Sequence, residues 1–155
     1  MKENLGLWGI LEIRVYDRKG KLKAYIKKKN LIVNVGKAKV AGLINGVVSG
    51  PFTYVAIGTG DPSNPGTCTA PSPDDTALQN EVARAQATTS RTTTNVSNDT
   101  AVWDVEFTAT ASWAVCEAGI FDSQSGGTML ARQTFSTINL ASGDKIAITW
   151  KVVIQ

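Results

Sequence analysis

Between Leu7 and Tyr16 apolar and polar residues alternate, with Leu11, Ile13 and Val15 on one face and Glu12, Arg14 and Tyr16 on the other. Period two is the mark of a strand with one face buried. "DRKG", Asp17 to Gly20, supplies a turn, and "KLKAYIKKK" resumes the alternation with Leu22, Ala24 and Ile26 inward and Lys21, Lys23, Tyr25 and Lys27 outward. The pair predicts a β-hairpin with one apolar and one basic face, whose lysines also discourage stray strand pairing. The period then changes. Val40, Leu43, Ile44 and Val47 follow i, i+3, i+4, i+7 spacing, which predicts a helix over 35–44 with Asn34 as N-cap and Asn45-Gly46 as its stop. One face of that helix should cover a sheet.

"PFTYVAIGTGD" reads as a strand entering a glycine turn, followed by a loop over 61–75 that contains Pro62, Pro65, Gly66, Pro71 and Pro73. Loops this long lie over a surface or reach a partner. "DDTALQNEVAR" offers Asp74, Asp75 or Thr76 as caps and predicts one or two helical turns with Leu78 and Val82 on one side. From Arg84 onward the chain reads as strands almost to its end. "RAQATTSRTTTNV" is a threonine-rich strand or strand pair. "TAVWDVEFTATASW" alternates Trp103, Val105, Phe107 and Ala109 against Val102, Asp104, Glu106 and Thr108, and "AGIFD" and "TMLARQTF" form two more strands. "DKIAITWKVVIQ" alternates Ile146, Ile148, Trp150, Val152 and Ile154 against Lys145, Ala147, Thr149, Lys151 and Val153. The expected fold is mainly β, an antiparallel sandwich or barrel-like domain with an N-terminal hairpin and one or two short helices. A single domain over 1–155 is expected, divided into an arm and basic hairpin (1–29) and a β core (30–155), with no internal repeat.

Composition narrows the function classes. The 155 residues contain no histidine, which removes the commonest general base and every imidazole metal site. Two cysteines, Cys68 in the loop and Cys116 beside a strand, make neither a disulfide framework nor a zinc site. They read as unrelated thiols, with one loop-to-strand disulfide as the alternative that the Cα separation decides. No secretory signal and no run near the roughly 18 apolar residues of a membrane span is present. A soluble chain made in the cytoplasm, without a membrane partner, is expected. Charge is uneven: residues 1–39 hold 11 of the 16 Lys and Arg but 3 of the 13 Asp and Glu, about +8, against about −5 for the remainder. Such an end suits a nucleic-acid patch, an acidic protein partner or simply a solvated face. Lys27, Lys28 and Lys29 lack the accompanying aromatic stripe of a nucleic-acid platform, so no direct nucleic-acid contact is expected.

Each possible chemistry has a plainer reading. "GTGDPSNPG" holds a G-x-G but precedes a proline-rich loop instead of opening a helix, so it reads as a tight turn and not as a phosphate cradle. Glu117 with Asp122, or Asp104 with Glu106, would suit hydrolysis if held as a pair, but carboxylates on the polar face of a strand are ordinarily solvated. Asp61, Asp74 and Asp75 offer oxygen ligands for calcium without the spacing of an EF-hand. No cofactor, metal or catalytic residue is assigned. Trp103 and Trp150 fall at core positions, whereas Trp8 and Trp113 are candidates for a subunit contact, where tryptophan is enriched. The candidate interaction residues are therefore Trp8, Arg14, Lys21, Lys23, Lys27, Lys28, Lys29 and Trp113.

"NLIVNVGKAKVAGLI", "YVAIGTGDPS", "DDTALQNEVAR", "EAGIFDSQSGGTMLARQTF" and "LASGDKIAITWKVVI" occur in that order. Together they resemble a family of small structural proteins of tailed phages and related viruses, whose members are labelled tail-fibre, baseplate-associated or head-decoration proteins. The resemblance spans about residues 30–154. It implies a non-enzymatic virion component that contacts other virion proteins, and a cyclic homo-oligomer, often a trimer. The compactness of the chain, with no separate shaft or receptor tip, favours a capsid decoration protein docking on the major capsid protein through the basic hairpin or the arm before it. A tail-fibre or baseplate part is the alternative, followed by a receptor- or glycan-binding β module and, last, a carboxylate hydrolase.

Overall fold

The computed structural model describes residues 5–155; Met1 to Asn4, and with them the beginning of the expected N-terminal arm, lie outside the described residues. Nine strands and one helix follow one another as β1 (Leu7–Tyr16), β2 (Leu22–Ile32), α1 (Asn34–Asn45), β3 (Tyr54–Gly58), β4 (Glu81–Gln86), β5 (Thr88–Thr92), β6 (Thr100–Thr108), β7 (Trp113–Phe121), β8 (Met129–Leu140) and β9 (Lys145–Ile154). The nine strands are hydrogen-bonded in the order β4-β3-β7-β8-β2-β1-β9-β6-β5, and every pairing is antiparallel. The result is a nearly closed, barrel-like sheet. One half, β5-β6-β9-β1-β2, meets the other, β8-β7-β3-β4, at a corner where β2 pairs with β8 only through Leu31–Arg132 and Ile32–Ala131. The two outer strands, β4 and β5, are consecutive in the chain and share the buried residue Ala87, whose N–H donates to the Thr53 carbonyl.

In β1, β6 and β9 the alternation places the core as expected; Leu22 of β2, expected inward, instead pairs with the outward Tyr16 past a register shift and is 52% exposed. Leu11, Ile13 and Val15 of β1 are fully buried, as are Ile146 and Trp150 of β9, and Trp103 of β6 pairs with Trp150 across the sheet. Each such side chain contributes roughly 1.5–3 kcal/mol by leaving water. The Trp103 indole N–H donates to the Phe52 carbonyl at 2.7 Å, tying the sheet to the segment before β3.

The second half departs from period two. All seven residues from Val115 to Phe121 are buried, because this half of the sheet is covered on both faces. The barrel core takes Val55, Ile57, Val115, Ala118 and Ile120, while Val33, Ala56, Leu78, Phe121 and Met129 form a second cluster on the outer face. The cover is the long loop after β3, which folds back across the sheet and brings Leu78 onto it.

Three local expectations are corrected. The helix spans Asn34–Asn45 with Val33 at the N-cap; Asn34 does not cap it but donates its side-chain amide to Asp74. The stop is as expected, with Gly46 left-handed at φ 76°. Val40 and Leu43 pack on the core, but Ile44 and Val47, on the same predicted stripe, stand in solvent at 76% and 78% exposure. The segment from Asp74 to Asn80 forms turns and Glu81–Gln86 is a strand, so no helix forms there: pairing with β3 outweighs the local helical pattern. Cys68 and Cys116 are not separate thiols. They form a disulfide with Cα atoms 6.0 Å apart, fastening the loop to β7.

A disulfide closing a span of 48 residues is worth about 4 kcal/mol by chain-entropy reasoning, less any strain relief on its loss. Replacing both cysteines by serine is expected to lower unfolding free energy by about 2–4 kcal/mol in urea titration, with the far-UV spectrum retained.

Candidate interaction surface

The predicted interaction residues do not converge on one spot. β1 presents Trp8, Ile10, Glu12, Arg14 and Tyr16 outward. The register sets Ile10 beside Lys29 of β2 and Lys151 of β9, Glu12 beside Lys27 and Thr149, and Arg14 beside Tyr25 and Ala147. Arg14, Lys27 and Lys29 therefore share the outer face, and Lys151, which sequence reading placed among the polar positions of β9 without a role, joins them. Trp8 sits at the end of this face against Val153, half-buried, with its indole nitrogen enclosed and unpartnered among the described residues.

The other candidates lie elsewhere. Lys28 is opposite Leu11, on the inward-facing register of β2, and donates to the Thr134 carbonyl at 2.8 Å; beside it Gln133 of β8 donates to the Lys29 carbonyl. These bonds hold the β2–β8 corner, so Lys28 is not part of the basic face. Lys23 is bound to Asp144 at 2.6 Å. Lys21 is exposed at the hairpin tip, where its backbone N–H is held by Asp17. Trp113 begins β7 opposite Leu140 and packs against the core, on the other half of the sheet from Trp8.

The face is electrostatically ordered. The Tyr25 hydroxyl donates to Glu12 at 2.6 Å, and Arg14 pairs with the same carboxylate at 2.8 Å while lying over the Tyr25 ring, 5.0 Å from its centroid. Tyr25, then Arg14, hold the Glu12 carboxyl below its ordinary range, and the same bond raises the Tyr25 phenol. Glu12 is thus absorbed into a local cluster, and the charge left outward at the β2 side is basic. Across the same face, β6 carries Asp104 and Glu106, both exposed; Thr149 donates to Asp104, and Lys145 approaches Glu106 at 3.4 Å. A basic column and an acidic column therefore flank one sheet face.

The carboxylates considered for catalysis are otherwise engaged. Glu117 was expected at a solvated strand face but is 0% exposed, beneath the long loop. Its Oε1 accepts from the Gly60 and Asn80 N–H groups at 3.2 and 3.0 Å; its Oε2 accepts from the Gln79 N–H at 3.1 Å and from Arg132 Nε and Nη2 at 3.1 and 2.9 Å. Arg132, 1% exposed, also binds Asp75 at 2.8 Å and the Thr69 carbonyl at 3.2 Å. Gly58 lies directly opposite Glu117, where a Cβ would come within 2.7 Å of the Asn80 carbonyl oxygen. Asp122 pairs with Lys39 and accepts from the Thr128 N–H, closing the turn between β7 and β8. Burial pushes the Asp122 carboxyl up, but Lys39, Thr128 and Ser123 outweigh it and the net shift is down. The loop acids Asp61, Asp74 and Asp75 serve a turn, Asn34 and Arg132 respectively, and among the described residues no three potential ligands gather around one point. Sequence reading missed this network, although a lone arginine inside "TMLARQTF" and a lone glutamate inside "CEAGIF" were its signal.

With this arrangement in view, comparison with known families is decisive. Residues 40–153 match the model of the podophage GP4 fiber I protein gp80 family. The chain belongs to that family. It is a structural protein of a tailed phage and a virion component, and the match favours a fibre role over the capsid decoration that compactness suggested. No curated protein and no solved structure matches the chain.

Glu117→Gln keeps an acceptor oxygen for the loop N–H groups and leaves Arg132 with Asp75 as its remaining carboxylate, so it is expected to cost about 3 kcal/mol. Glu117→Met with Arg132→Met strips three loop N–H groups of their acceptor and Asp75 of its partner and should cost more, as read by urea denaturation. Asp122 is a stronger acid folded than unfolded, so its stabilising effect is complete above the unfolded carboxylate range, about pH 4, and drains away as pH falls through the folded pKa. Lys39→Met should therefore flatten the loss of thermal stability between neutral and acid pH.

Proposed function

We propose that this chain is a non-enzymatic subunit of the tail fibre that joins its neighbours through the outer face of the β5-β6-β9-β1-β2 half of its sheet. The family match over residues 40–153 is the observation that carries the fibre reading. The engagement of Glu117 and Asp122 in structural ion pairs supports the non-enzymatic one.

The arrangement of charge supports a specific mode of joining. Lys27 and Lys29 stand on β2 and Asp104 and Glu106 stand three strands away on β6, on the same face. The basic column of one copy can meet the acidic column of the next, and a repeated head-to-tail contact of this kind closes into a ring when the rotation permits. The resemblance seen in the sequence implies a cyclic homo-oligomer, often a trimer. Charge at such a rim steers association and fixes register more than it adds affinity. A second neighbour, an acidic surface on another virion protein, would use the same basic column.

The test is charge reversal with restoration. Lys27→Glu with Lys29→Glu is expected to weaken self-association of the purified protein at least tenfold by analytical ultracentrifugation, and more at low salt than at high. Adding Asp104→Lys and Glu106→Lys to the same chain should restore it. Restoration of assembly without incorporation into particles would assign the basic column to another virion protein as well. Self-association that ignores all four charges would remove this mode of joining.

A further inference from the structure

The barrel is closed at one point between its outer strands, at Ala87, and opens beyond it. Among the described residues β5, from Thr88 to Thr92, pairs with β6 on one side and with no strand on the other, and all five residues are exposed. An edge of this kind displays unpaired N–H and C=O groups, and proteins ordinarily blunt it. β5 carries no proline, no lysine and no bulge. Directly beneath it lies a groove of about 480 Å³ walled by Leu7, Leu43, Phe52, Trp103, Leu130 and Val152. That volume is in the range of pre-formed binding sites, and the walls are apolar as such sites are.

Alternation on β5 decides what faces the groove. Thr89 is paired with Trp103 and Arg91 with Ala101, which sets these two on the inward register, while Thr88, Ser90 and Thr92 take the outward one; Thr89, Ser90 and Arg91 all border the groove. Arg91 is exposed and enters no ion pair among the described residues. A cation on the inward side of an open edge repels segments that bring no countercharge, and it attracts one that brings a carboxylate.

We infer that β5 and this groove form a strand-addition site for an extended segment of another protein, one with apolar side chains at alternate positions and an acidic residue set to meet Arg91. The main chain of the segment continues the sheet beyond β5. Its alternate side chains enter the groove, which is how strand addition obtains specificity from pockets and affinity from backbone bonds. This site lies on the opposite side of β6 and β9 from the charged outer face.

The test begins with selection of random octapeptides displayed on a surface against the purified full chain. A synthetic copy of an enriched peptide is then titrated against wild-type and variant proteins whose melting temperatures show that they are folded. Enriched peptides should alternate apolar residues with one Asp or Glu, and binding should slow amide exchange at Thr88–Thr92. Ala101→Leu, which fills the groove, should weaken binding at least tenfold. Arg91→Glu should do the same for the acidic peptide, and a peptide with lysine in place of its acid should recover binding to that variant. Failure to enrich any peptide, protection confined to other strands, or binding indifferent to both substitutions would overturn the inference. So would concentration-dependent protection of β5 without peptide, which would show that a second copy of the chain occupies the edge.

Discussion

The ion pair between Glu117 and Arg132 is the constraint on which the covered half of the barrel depends. Two charges removed from water are tolerable only when the protein replaces their hydration almost completely. Glu117 achieves this with three backbone N–H groups and the guanidinium, and three of those donors, from Gly60, Gln79 and Asn80, belong to the ends of the long loop. The loop is therefore not an ornament attached to a finished sheet. Without it the pair would be unsatisfied, and without the pair the loop would keep only peripheral polar anchors, such as Asn34 to Asp74 and Thr137 to the Gly66 carbonyl. The disulfide from Cys68 to Cys116 lies next to Glu117 in sequence, so covalent and electrostatic fastenings reinforce each other at one place.

This division explains why the two halves of the sheet differ so much. The half containing β3, β7 and β8 is buried on both faces and can hold Phe121 and Met129 outward under Leu78 and Val33. The half containing β6, β9 and β1 keeps its outer face toward solvent, where Glu12, Thr149, Asp104 and Glu106 are hydrogen-bonded or paired in shallow clusters. The corners are correspondingly specific. At one, Lys28 and Gln133 stitch β2 to β8 after only two paired residues. At the other, Ala87 turns the chain from one half to the other without a break long enough to be a loop.

How much of this could be read from residues alone depended on solvent. Where one face is wet, period two reports both the strand and its orientation, and β1, β6 and β9 were placed with their inward residues from Leu11 to Val152. Where both faces are covered, inward and outward lose their chemical difference, and "CEAGIF" tells little beyond being buried. Glu117 and Arg132 then look like ordinary polar positions, since the loop that buries them is distant in sequence. "EVARAQ" has the composition of a helix and becomes β4 because β3 offers a complete ladder of backbone bonds. Asn34 had the chemistry of a cap but spends its amide on Asp74. The basic hairpin was visible as a run of lysines, yet its division among an outer face, a corner and an ion pair required the register. The open edge of β5, guarded by Arg91, was invisible, because an edge is a property of sheet order.

The two surfaces are adjacent through the same strands. β6 and β9 carry Asp104 and Lys151 outward and Trp103 and Val152 inward, so the acidic column and the groove are opposite sides of one pair of strands. A segment added to β5 would lie next to Thr88, which is paired with Asp104. It would therefore widen the outer face at its acidic border, where a neighbouring copy is proposed to approach. Occupancy of the edge and packing of the neighbour then become linked through contact, without any change of fold, and linkage of this kind is reciprocal. If the added segment extends a favourable surface, assembly and strand capture promote each other; if it carries excess negative charge past Arg91, they compete less for space than for the same lysines.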